Sequence, residues 1–269
     1  MKIVENLSAL ALRQLIDGAS PPAGTEAGDG VELSKRLLAT QGERMRAMLG
    51  RTIDATWRAL QVALAGSSWW EQVRERVPPG EQAALGEKVP AFLGLALLKE
   101  LPADAEFRQR CRTELHSGQQ SGLLGGEPEA GSEAGWLPLV AAPDADRRLV
   151  QQIADELRHH FPTLAELVSP RADGVPLLAR LVRVCFCREA AGVPELAALP
   201  AVTALPASDK AALDALADLR THHAQRLEAL LTAPVGRDAP RSLDIDAETR
   251  AAPEPMPQLG RAVLRLLRQ

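Results

Sequence analysis

Three cysteines and five histidines are the side chains in this 269-residue chain best suited to act as nucleophile, general base or metal ligand. The histidines are His116 and two adjacent pairs, His159–His160 and His222–His223. Pairs on two separate helices could supply metal ligands. Neighbouring residues on a helix point about 100° apart, however, so one pair does not readily chelate one ion. His160 lies three residues after Leu157, and His223 lies four before Leu227. Both sit at the edge of an apolar stripe and read as hydrogen-bonded histidines at helix contacts. His159, His160, His222 and His223 stay as weak metal candidates, since neither HExxH nor Cys-x-x-Cys spacing is present. Cys185 and Cys187 diverge by about 200° on a helix but share a face on a strand. As isolated free thiols, they and Cys111 read as small buried hydrophobes.

The glycines fail as a phosphate loop. In GEQAALGEK, residues 80–88, Gly86 is followed by Glu87, and Val89 replaces the hydroxyl that would hold Mg²⁺. The segment from Gly122 to Gly135 lacks Lys and Arg, and Glu127, Glu129 and Glu133 oppose an anion. No catalytic residue, metal or cofactor is expected from motifs.

Two features point to partners instead. Trp69 and Trp70 are adjacent, so both cannot face one core, and an exposed Trp is a good interface anchor. The end of the chain, LGRAVLRLLRQ, places Arg261, Arg265 and Arg268 among Leu259, Val263, Leu264, Leu266 and Leu267. It is too short to be a stable lone helix. It could lie on its own bundle, on a membrane surface or in another protein's groove.

The elements that carry these residues are helices. Aromatic residues are 3% of the chain, with no Tyr, whereas strand-rich folds use many. Ala and Leu, both strong helix formers, dominate. A formal charge of −4 argues against nucleic acid, whose phosphates require clustered cations. No stretch reaches the roughly 18 uninterrupted apolar residues of a transmembrane helix, and the N-terminus does not read as a signal peptide. Sparse cysteines fit reduced thiols in a cytoplasm.

The spacing predicts a first helix over about 3–17 and a second over 31–65. The second carries Met45, Leu49, Ile53, Trp57, Leu60 and Leu64 on one face, bends at Gly42 or Gly50 and closes at Gly66. Short helices follow over 69–77 and 81–99, the latter kinked at Pro90. Asp104 caps a helix that ends at Gly118, and Asp144 starts another. Residues 176–191 read as the most buried helix, with a strand over 180–187 as the alternative. A last long helix spans 208–232. Residues 18–30 and 118–143 read as mobile loops, and 192–207 as a Pro-punctuated connector. The fold class is therefore all-α: an irregular bundle of about eight to ten helices with long Gly/Pro-rich loops. It spans 1–235, with sub-lobes 1–117 and 144–235 as one division. A Pro-rich linker over 236–258 and the basic tail over 259–269 follow.

Four segments carry a resemblance: NLSALALRQLIDG, RTIDATWRALQVALAGSSWWEQV, FRQRCRTELHSGQQSGLL, and DLRTHHAQRLEALL with SLDIDAE after it. Together, over roughly residues 1–248, the chain resembles an all-helical N-terminal module of large bacterial multidomain signalling proteins. In those proteins the module precedes STAND-type NTPase, kinase or repeat regions. The resemblance implies an interaction or sensing role without catalytic residues, and this chain departs from the pattern by ending soon after the module. The expectation is a non-catalytic adaptor for a bacterial signalling or defence assembly. It would act through a protein partner or larger complex, with homo-oligomers also open. The alternative is a helical enzyme or a sensor of a small ligand or metal. Its pocket would draw on residues distant in sequence, such as His159, His160, His222 and Cys185.

Overall fold

The computed structural model describes residues 2–19, 28–76, 101–131, 133–140, 142, 144–171, 174–197 and 200–203. Every regular element among them is a helix, so the fold is all-α. The helices are α1 (Lys2–Ala19), α2 (Gly28–Arg76), α3 (Ala105–Gln120), α4 (Glu133–Val140), α5 (Ala145–Arg158), α6 (Pro162–Val168), α7 (Leu177–Ala190), and the single turns α8 (Pro194–Ala197) and α9 (Pro200–Thr203).

The central helix is α1. Every residue from Leu7 to Leu12 is buried, more than one apolar face requires. It packs against α2 and α5, and also touches α4, α7 and α9. Its buried polar side chains turn back on their own helix: Ser8 Oγ donates to the Val4 carbonyl at 2.8 Å, and Gln14 Nε2 to that of Leu10 at 3.4 Å. Arg13 Nη1 donates to the Val140 carbonyl at 2.8 Å, placing a cation on the C-terminal end of α4.

The second helix carries the expected stripe. Met45, Leu49, Ile53, Trp57, Leu60 and Leu64 are all buried. Its interruptions differ from expectation at one end. The bend falls on Gln41 (φ −136°, ψ 33°), one residue before Gly42. There Glu195 of α8 accepts from Gln41 Nε2 at 3.1 Å and pairs with Arg44 at 3.7 Å. Gly50 stays helical. Its missing side chain makes room for the chain after α3, because a Cβ there would stand 2.9 Å from Glu127 Cγ. Gly66 does break the helix, at φ 70° and ψ −166°, a conformation open almost only to glycine.

At the start of α3, Asp104 Oδ1 accepts from the backbone N–H of Glu106 (2.9 Å) and Phe107 (3.2 Å). Asp104→Ala is expected to lower stability by about 1 kcal/mol in urea unfolding. No change would mean that water satisfies those donors equally well. The helix runs to Gln120, two residues past Gly118.

Three loop readings need correction. Residues 133–140 form α4, anchored by the i, i+4 pair Trp136 and Val140, which are buried. Of the 18–30 loop, residues 18–19 belong to α1 and 28–30 to α2. The connector after residue 191 contains two helical turns, α8 and α9, each starting with Pro at a position whose N–H needs no partner. The helices expected over 81–99 and 208–232, and the segments 236–258 and 259–269, lie outside the described residues.

Candidate functional site

The three cysteines sit on the described helices, and all are buried and outside any disulfide. Cys111 on α3 lies with its Sγ 3.5 Å from the Thr163 carbonyl, to which it donates. Burial pushes its thiol up to about 12, and the nearby Glu114 and Glu166 carboxylates add to this. Cys185 on α7 is also pushed up to about 12 by burial, with the Thr56 hydroxyl of α2 beside it pulling the other way. Burial raises Cys187 as well. The two α7 thiols diverge, yet both are enclosed, because neighbours cover α7 on most of its circumference. Helix, not strand, is the observed state of residues 180–187.

These shifts make a pH prediction. A thiol whose folded value lies above its ordinary 9.0 is held neutral while the unfolded chain ionises. The stability it contributes is complete below pH 9 and is lost as pH rises toward 12. Arg112 runs the other way. Burial lowers its guanidinium to about 10, so above that pH the folded state holds fewer protons than the unfolded one. Three thiols outnumber one guanidinium, so the urea midpoint should fall between pH 8.5 and about 10.5. A flat midpoint over that range would show the thiols to be in contact with water.

Glu114 of α3 performs a task no motif announces. Its Oε1 accepts from the Thr163 N–H at 3.2 Å and its Oε2 from the Leu164 N–H at 2.7 Å. These are first-turn donors of α6, whose own N-cap, Phe161, has no oxygen to offer. The carboxylate therefore caps a helix about fifty residues away in sequence.

Comparison with protein-family models, curated proteins and solved structures returns no match to this chain.

The histidine pairs divide. His159 and His160 follow α5, exposed, with His159 Nδ1 3.2 Å from the Asp155 carbonyl and the His160 ring 6.1 Å from that of Phe161. His160 thus stands on the surface and not at a packed contact. His222 and His223 lie outside the described residues. Among the described residues no group of three or more His, Cys, Asp and Glu could hold a metal ion. His159 and His160 are exposed, whereas Cys185 is buried. The backbone of Trp69 and Trp70 belongs to the helical stretch beyond Gly66, and their side chains lie outside the described residues. Leu259, Arg261, Leu264, Arg265 and Arg268 lie outside them altogether. No described helix is long and apolar enough to cross a membrane.

Sequence reasoning missed one more group. Every residue from Ala59 to Ala65 on α2 is buried, and Gln61 is the polar member of that run. Its only legible signal was a Gln inside an otherwise apolar heptad, which reads equally well as a solvent-facing position.

Proposed function

We propose that this chain is a non-catalytic helical interaction protein that acts as an adaptor for a larger bacterial signalling or defence assembly. One observation supports the reading: two thiols and a carboxylate of the described bundle are spent on packing helices together. Cys111 binds a carbonyl of α6, Glu114 caps that same helix, and Cys185 is enclosed beside Thr56. A thiol held neutral is a poor nucleophile, and a carboxylate on two backbone N–H groups is not available as a base. Surfaces, not an interior reaction centre, then carry the activity. Trp69, Trp70 and the basic tail around Arg261, Arg265 and Arg268 are the proposed contacts.

The test is affinity capture from the native host, with the full chain as bait. One stoichiometric partner is expected. Its capture should be lost on Trp70→Ala or on removal of residues 259–269, with the helical circular dichroism unchanged. An empty capture, together with turnover of a substrate by the purified chain, overturns the reading.

A further inference from the structure

Trp57 and Gln61 stand four residues apart on α2, and neither side chain is exposed. That spacing puts them on one face of the helix, with Cβ atoms about 5–6 Å apart. The Oε1 of Gln61 accepts from Arg58 Nη1 at 3.3 Å. A guanidinium only donates, so that end of the amide has to be the oxygen. Exchanging the two ends would set an amide N–H₂ against a cation. The other end, Nε2, is therefore a donor, and it meets no acceptor among the described residues. The indole Nε1 of Trp57 is a donor with no acceptor capacity, and it meets none among the described residues either.

Folded proteins leave few buried polar groups unpaired, and two donors four residues apart on one helical face are placed to share a partner. We propose that Trp57 Nε1 and Gln61 Nε2 together hold the oxygen of a small neutral guest inside the bundle. Both groups donate, so the guest contributes an oxygen lone pair. Both are uncharged, and Arg58 is already engaged by the Gln61 oxygen, so an anion would lose its hydration there without a dedicated counter-ion. The guest is water or a small molecule with a carbonyl or hydroxyl oxygen. The inference is independent of the adaptor reading.

A double-mutant cycle on the full chain tests it. Gln61→Met keeps the length of the side chain and removes its donors, and Trp57→Phe keeps an aromatic ring and removes the indole N–H. Each is expected to lower Tm by roughly 3 °C or more. The double variant should lose clearly less than the sum, because the second change finds the shared acceptor already released. Additive losses, or a rise in Tm for Gln61→Met, overturn the proposal. A second reading uses the unmodified protein: the Trp57 indole proton should resonate in the hydrogen-bonded range, and a free-indole position overturns the proposal without any variant. The mass of the native protein separates the sources. An adduct identifies an organic guest, and a bare chain mass with the coupling intact identifies water.

Discussion

Trp57→Ala is expected to cost about 3–5 kcal/mol of stability, the range for emptying a fully buried aromatic site. Trp57 has no exposed surface and lies at the middle of the α2 stripe, between Ile53 and Leu60. That helix packs on α1 and on α7, and the hole opens in the buried interior of the bundle. Surrounding side chains relax only partly into such a space, and the lining loses its contacts outright. For a chain of this size the loss corresponds to roughly 10 °C in Tm. Urea unfolding followed by circular dichroism measures it, with the midpoint falling and the slope unchanged. A loss below about 1 kcal/mol would show that Trp57 is not a core residue.

Gly118→Ala is expected to be destabilising although it replaces the weaker helix former by the stronger. On an open helix that change gains about 1 kcal/mol. Here a Cβ would stand 2.5 Å from Leu124 Cδ1, 2.6 Å from its Cγ and 3.1 Å from Phe161 Cζ. Leu124 is itself fully buried, and its backbone N–H donates to the Gly118 carbonyl at 3.2 Å. The leucine is held at both backbone and side chain and has little room to retreat. Overpacking of this kind costs typically 1–3 kcal/mol, which exceeds the propensity gain. Leu124→Ala alone should cost about 2–5 kcal/mol through the cavity it leaves. Combined with Gly118→Ala it should cost less than the two single losses added, because the new methyl occupies space the leucine vacated. Simple addition would mean that the two positions are not in contact.

Both predictions bear on how far the chain could be read without its structure. Trp57 was legible: it recurs at helical spacing with Met45, Leu49, Ile53, Leu60 and Leu64, and all are buried. Asp104 was legible as a cap, because its partners, the N–H groups of Glu106 and Phe107, lie within three residues. Gly118 has the sequence signature of a helix end, since glycine ordinarily marks one. It is instead a helical residue whose missing side chain admits Leu124. The sequence pattern of residues 133–140 resembles loop for a related reason. Their Gly- and Pro-rich surroundings outweighed the short apolar pair Trp136 and Val140, which gains its stability from burial. His160 was placed at a packed edge by its distance from Leu157, yet α5 ends first and leaves it exposed.

What the amino-acid sequence determined by itself is the all-α class, the stripe that buries Trp57, and the caps and breaks at Asp104 and Gly66. Each depends on residues within one or two turns of one another, where periodicity and backbone stereochemistry act directly. Tertiary structure alone decided how much of each helix is enclosed. That is why Cys185 and Cys187 are both buried despite facing apart, why Glu114 caps a helix from another element, and why the donors of Trp57 and Gln61 stand in the interior. Enclosure depends on what neighbouring helices cover, and burial in turn sets the cost of every polar or ionisable group.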